Sequence, residues 1–450
     1  MAGYGGQHAG VWNSTSNIIR SGLVNGPIVL FDQIQRGEAD MMVLSPFSHF
    51  MATSLYQRYN PTAPALEYGV MGSMTTIPAN YMQSFMVFYS PDGVNEGIRE
   101  WGELMQRAYN RTEEHRISDI TVNYLGYYTN NGGYYYYNPE PGQTFEQTMI
   151  DVVQQIKLPF HYYELDSWWY YKGLKDGVAN WNARPDVFPD GLATFHSRIN
   201  NYPLAAHNRY WAYDNVYKQN YSFVLDPANS KALPVGNDSF WDDLFLNARN
   251  WGLVLYIQDW LSTQTKEFFP LLRDAQIGEQ WLSSMGAAAE KTGMNIQYCM
   301  SYPRHILQAL EVSRVTQARV SGDYGAGLKD PAKSQWNIGI SSILADAVGI
   351  APFKDVLWST EMQPGSDYGP SAVEPLPDRA ILLATQSTGP VAVGDGINYT
   401  NAQRILRCCR EDGLILKPDR PLTTINQMIS DWAANNGVMP GEVYSTTTTM

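Results

Sequence analysis

Carboxylates recur where short apolar runs give way to polar residues. Asp166 follows Leu165, Asp259 follows Ile257 and Gln258, Asp323 closes Val320-Ser-Gly-Asp, and Asp395 follows Val393-Gly. Aromatic residues crowd the same places: Trp168 and Trp169, Tyr210 and Trp211, Trp260, and Tyr324. This pairing suits sugar chemistry. A carboxylate accepts hydroxyl hydrogen bonds or acts as nucleophile or acid, and an aromatic face packs against the apolar face of a sugar ring. Retaining glycoside hydrolysis needs two carboxylates about 5–5.5 Å apart, one attacking and one shuttling a proton. Asp259 and Asp323 are the better-placed pair. Each follows its own strand, with one strand between, so they can face each other across a barrel mouth. The acid needs a raised pKa, which an aromatic-lined, partly buried pocket supplies by desolvation.

Each of these residues also has a structural reading. A strand-end Asp often caps a helix or ties down a loop. His207, followed at once by Asn208, Arg209, Tyr210 and Trp211, is either a sugar ligand or a satisfied core histidine. Cys299 reads as a small buried apolar residue, since no His/Asn partners mark it as a nucleophile. The run Tyr134 to Tyr137 reads as core and rim packing before it reads as a ligand platform.

The elements that would position these side chains are legible as alternation. Strand-like runs at 120–125, 160–165, 207–212, 253–257, 295–299, 318–320, 355–358 and 391–393 alternate with amphipathic stretches. Helices are expected at 144–156, 191–200, 238–250, 269–292, 338–348 and 378–386. About eight β-then-α units in roughly 300 residues predict a parallel sheet closed into a (β/α)8 TIM barrel, with its site at the strand C-termini. A β-rich N-terminal region with a linking helix at 94–109 precedes it. The expected divisions are 1–115, a barrel at 116–430, and a C-terminal tail at 431–450, whose end, Ser445-Thr-Thr-Thr-Thr449, reads as low-complexity and frayed.

Composition narrows the partners. Charged residues are only 17% of the 450, while aromatics reach 13%, with 30 Tyr and 13 Trp. The formal net charge of −13 repels phosphate backbones and anionic membranes, so nucleic acid is not expected as a partner. No apolar run approaches a membrane span. Three cysteines, two of them adjacent, form no disulfide framework, and no Cys/His spacing suggests a metal. No cofactor is expected. Met1 to Trp12 lacks the pattern of a signal peptide, but sequons at Asn13, Asn110, Asn220, Asn237 and Asn398 are compatible with a secreted form.

The order of motifs resembles the raffinose synthase and alkaline α-galactosidase group of glycoside hydrolase family 36. Gly252-Leu-Val-Leu-Tyr-Ile-Gln-Asp259 is similar to the family's nucleophile strand, which ends Lys-x-Asp. Tyr298-Cys-Met-Ser301 resembles its Cys-Met segment, and Arg319-Val-Ser-Gly-Asp-Tyr324 its acid/base element. Gly389-Pro-Val-Ala-Val-Gly-Asp395, Asp412-Gly-Leu-Ile-Leu-Lys417 and Arg420-Pro-Leu-Thr423 follow in the family's order. Leu165-Asp-Ser-Trp168 is similar to its Asp-Asp-Gly-Trp sugar-binding motif, and Tyr210-Trp211 stands where it has Gly-Tyr-Trp.

The resemblance, over roughly residues 120 to 425, implies a retaining mechanism on an α-linked sugar. It makes Asp259 the nucleophile and Asp323 the acid/base. Asp166, Trp168, Trp169, His207, Trp211, Cys299, Arg319 and Trp358 become the expected sugar contacts. In this reading Asp166 holds hydroxyls, the tryptophans shape the pocket, and Arg319 positions a hydroxyl or orients Asp323. The chain departs from the pattern at Ile257 (family Lys), Ser167 (second Asp), Gly322 (Asp) and Trp358-Ser-Thr360 (Trp-Asp-Met). Those departures open two readings: an α-glycosidase or transglycosidase acting on oligosaccharides or glycosides, or a non-catalytic carbohydrate-binding protein on the same barrel.

Overall fold

The structure is a computed structural model that describes residues 7–12, 22–24, 26–32, 39–58, 65–236, 239–330, 338–435, 437–438 and 442–448. The sequons at Asn13 and Asn237, the start of the helix expected at 238, and Thr449 of the tail lie outside them. The other three sequon asparagines, Asn110, Asn220 and Asn398, are exposed.

Eight parallel strands form the centre: β1 (Gly126–Tyr127), β2 (Tyr162–Leu165), β3 (Leu204–Asn208), β4 (Leu253–Gln258), β5 (Asn295–Tyr298), β6 (Val315–Arg319), β7 (Ala351–Phe353) and β8 (Ala392–Val393). They pair in chain order, and β8 returns to pair with β1. The ring closes past β7. The Leu357 amide donates to the Ala392 carbonyl, and the Gly394 amide to the Leu357 carbonyl, both at 3.0 Å. This is the (β/α)8 barrel that the alternation predicts. Its strands are buried but for Val254 in β4 and Asn295 in β5, which are half-buried, as expected for strands covered on both faces. The register puts His207 opposite Ile257, Ile257 opposite Gln297, and Gln297 opposite Gln317. Two residues further along each strand, Asp259, Cys299 and Arg319 therefore share one level of the barrel mouth.

Two expected strands are corrected. Ile120–Asn123 is a short helix, because the Asp119 carboxylate caps it by accepting from the Thr121 amide at 2.8 Å. The strand expected at 355–358 lies earlier, at Ala351–Phe353, and Leu357 makes only the seam bridge. The long helix expected at 269–292 is two, Phe269–Arg273 and Ile277–Thr292.

A second sheet has no counterpart in the sequence reading. Five short strands, Tyr170–Lys172, Val178–Ala183, Trp211–Ala212, Phe223–Asp226 and Lys231–Pro234, pair in one layer. All come from the connections that follow β2 and β3, so this sheet stands beside the C-terminal mouth.

The N-terminal region is β-rich, as expected. Ile28–Phe31, Met41–Pro46 and Phe85–Ser90 form an antiparallel sheet, and Thr53–Arg58 pairs with Ala65–Val70 as a hairpin. The helix Gly93–Ala108 lies so close to the barrel that a Cβ on Gly102 would sit 2.1 Å from the Ala347 carbonyl oxygen. Arg304, fully buried, ties this region down by donating to the carbonyls of Gly22, Leu23, Met51 and Thr53. At the other end, helix Asn426–Ala434 crosses the boundary expected at 430. Ser445, assigned to a frayed tail, pairs instead with Thr423 in a two-stranded ladder.

Candidate active site

A cavity of about 220 Å³ opens at the C-terminal mouth. It gathers six of the ten expected residues: Asp166, His207, Asp259, Cys299, Arg319 and Asp323. Four do not reach it. Trp168 stacks on Phe145 and donates to Thr129; Trp169 packs on Trp181 and Trp251. Trp211 sits against Phe240 and Trp241, and Trp358 against Tyr324 with its indole N–H on the Gly132 carbonyl. All four are fully buried core residues. Sequence reading placed them correctly near strand ends but had no means to tell cavity from helix layer.

Asp259 is buried and well held. Its Oδ2 lies 3.1 Å from His207 Nε2, and its Oδ1 accepts the Trp260 amide at 2.7 Å. The Tyr170 hydroxyl stands 3.0 Å from His207 Nδ1; donating there, it leaves Nε2 as the donor to Asp259. Burial alone would push the Asp259 carboxyl up. The His207 hydrogen bond and the positive charge of Arg319, with help from Cys299, outweigh it and hold the carboxyl down at about 2. Burial pushes the Cys299 thiol well up, so it stays protonated as a donor beside Asp259.

Asp323 differs. Its side chain is 40% exposed, and it heads the short helix Tyr324–Lys329. Arg319 donates to its Oδ1 at 2.6 Å and Asn131 to its Oδ2 at 3.0 Å. Arg319 also faces Asp355, at 3.7 Å. Asp355 is fully buried, accepts from Asn130 and from the Tyr324 amide, and is pushed up to about 6 by burial. Arg319 thus stands among three carboxylates, touching two and lowering the third.

Several cavity residues escaped sequence reading. Glu164 is buried mid-strand, bonded by Thr129, with one oxygen unpartnered; burial raises its carboxyl well above the ordinary range. Its signal was a charge inside an otherwise apolar run. Of the tyrosine run, Tyr134 and Tyr135 are core, Tyr136 lines the cavity, and Tyr137 reaches Ser167 from the rim. Trp260 lines the cavity too, with the Arg209 guanidinium 4.5 Å over its ring. Trp260, Met300 and Asp355 all hold left-handed backbone (φ 57°, 46° and 86°) just past strands β4, β5 and β7. Such conformations concentrate where surrounding structure fixes a functional geometry.

Among the described residues no group of three His, Cys, Asp or Glu is arranged to hold a metal, and no helix is long and apolar enough to cross a membrane.

A (β/α)8 barrel with a carboxylate-lined, strand-end cavity defines a fold shared with known enzymes. No protein-family model and no curated protein matches the chain. Among solved structures, the α-galactosidase from Lactobacillus brevis superposes with a TM-score of 0.53 at 13% identity, over 89% of this chain and 57% of its own. The GH36 α-galactosidase AgaA from Geobacillus stearothermophilus, in complex with stachyose, gives 0.54 at 10% identity, over 89% and 60%. This chain therefore spans about three fifths of the length of those enzymes. The likeness is one of fold: an α-galactosidase-type barrel with a β-rich region before it.

Proposed function

We propose that this protein is a retaining α-glycosidase acting on α-linked oligosaccharides, with water or a sugar hydroxyl as acceptor. The observation that carries the reading is the unequal pair. Asp259 and Asp323 line one cavity; one is buried and held ionised, while the other is half-exposed and bonded to Arg319 rather than desolvated as expected for the acid. A buried, ionised carboxylate suits the attacking role, and one that reaches solvent suits exchange of a proton with leaving group and acceptor. Asp259 attacks the anomeric carbon as Asp323 protonates the departing glycosidic oxygen, leaving a glycosyl ester on Asp259. Asp323, now a carboxylate, takes the proton of the incoming hydroxyl, which displaces Asp259 and restores both groups. His207 keeps the nucleophile oriented and ionised. Galactose-type sugars are favoured by the fold neighbours, which are α-galactosidases.

A second reading is a barrel that binds sugar without cleaving it. Ile257 and Ser167, standing where the family places a Lys and an Asp, favour it. Turnover of aryl α-glycosides separates the two. The catalytic reading expects activity that falls by about 10⁴-fold or more in Asp259→Asn. In Asp323→Asn it expects a fall of about 10²–10⁴-fold. No parent turnover, with sugar binding that survives Asp259→Asn, would establish the binding reading instead.

A further inference from the structure

The cavity holds two arginines, and among the described residues only one is ion-paired. Arg319 is matched by Asp323 and Asp355. Arg209 is 8% exposed and lines the same cavity. Among the described residues it donates to the Ser167 hydroxyl at 3.1 Å and to the Asp176 carbonyl at 3.4 Å, and no carboxylate lies within ion-pair reach. Its Nε is buried with no hydrogen-bond partner, as is that of Arg319. The Trp260 face beneath it gives only partial compensation. Asp166 attracts Arg209 through space but is bonded to it only through Ser167, whose amide and hydroxyl both donate to Asp166 Oδ1.

A second basic side chain, the half-buried Lys172, lies on the same side, its ammonium pulled down to about 8 by burial and by the charge of Arg209. Lys172 donates to the Tyr137 hydroxyl, which in turn contacts Ser167. It too has no carboxylate partner within reach among the described residues. A buried charge without a counter-ion is costly, and natural proteins keep one where a ligand supplies the opposite charge. A guanidinium with free N–H donors matches the flat edge of a carboxylate, or two oxygens of a sulfate, better than it matches lone hydroxyls.

Resting on the glycosidase reading, we propose that Arg209, backed by Lys172, recognises an oxyanion carried by the sugar, so that the substrate is an acidic α-linked glycan. The shared chemistry is a carboxylate or a sulfate ester on the ring in the cavity or on its neighbour. The net charge of −13 over the whole chain makes the exception sharper. The anion is drawn to this wall by local charge against the field of the whole protein.

The test is a three-way comparison of kcat/KM with 4-nitrophenyl α-D-galactoside, the matching α-D-galacturonide and the 6-sulfated galactoside, for the parent, Arg209→Met and Arg209→Lys. The parent is expected to favour one anionic substrate over the neutral one by at least about tenfold. Arg209→Met should bring that ratio close to one, and Arg209→Lys should leave it intermediate. Galacturonide preference assigns a carboxylate, and preference for the sulfated sugar assigns a sulfate. A parent that prefers the neutral galactoside, with a ratio unmoved in Arg209→Met, overturns the proposal while leaving the glycosidase intact. If no substrate turns over, the catalytic reading fails separately. Calorimetric binding of free galacturonate, galactose 6-sulfate and galactose then decides this one. Anion binding that weakens about tenfold in Arg209→Met supports it, and equal binding of all three in both proteins overturns it. Circular dichroism melting of each variant guards against loss of fold.

Discussion

The two walls of the cavity carry the same cation in opposite circumstances. On one, Arg319 is ion-paired with two acids, one of them the proposed acid/base. On the other, Arg209 leans on an indole and a hydroxyl with no carboxylate in ion-pair reach among the described residues. The first arrangement is closed: its cation is matched before any ligand arrives. The second is open and is completed by what binds. The difference teaches that a charged residue in a cavity should be read by what fails to touch it as much as by what does.

The closed wall is broken most severely at Arg319. Arg319→Met leaves Asp323 and the buried Asp355 without their counter-charge, and kcat/KM should fall by about 10²–10³-fold. Steady-state kinetics on the best aryl glycoside checks this; a loss below fivefold would mean that the two walls do not differ as described. A subtler blow is His207→Ala. The folded carboxyl of Asp259 is held at about 2, below an ordinary aspartate, so it is ionised across the whole working range. Removing the His207 donor lets burial raise it. The acid limb of the kcat/KM profile should then move up, by about 1–2 pH units, and activity should be lost earlier as pH falls. An unmoved acid limb would show that His207 does not set the nucleophile's charge. The smallest effect on chemistry is expected far from both walls. Arg304→Met frees four backbone carbonyls at the junction with the N-terminal region. It should cost about 3 kcal/mol of stability and lower Tm by several degrees while shifting neither the pH profile nor substrate preference.

The barrel was legible because its strands are apolar runs bounded by polar turns; 253–257 and 295–299 are each within a residue of β4 and β5. It failed where a local device overrode the run, as Asp119 did by capping 120–123 as helix. The site was legible in part for the same reason. A residue just past a parallel strand must stand at the mouth, which places Asp259 without any geometry; Cys299 and Arg319, inside the runs as read, were reached only through the resemblance. The tryptophans went astray because loops after strands can turn either way, and an indole buried under a helix looks the same in sequence as one facing sugar. Arg209 was visible as a residue and invisible as a feature. An arginine lacking a carboxylate neighbour can be recognised only when all its neighbours are known. The five-stranded sheet beside the mouth was missed because four of its five strands are only two to four residues long.

That sheet has an evolutionary consequence. Its strands occupy only the two connections after β2 and β3, the same connections that carry Ser167 and Arg209, whereas Arg319 and Asp323 belong to the barrel's own sixth unit. Connections tolerate insertion at little thermodynamic expense. A descendant that traded its taste in glycans by redrawing these connections would still have to keep Tyr170 and His207, which lie within 166–234 and hold Asp259.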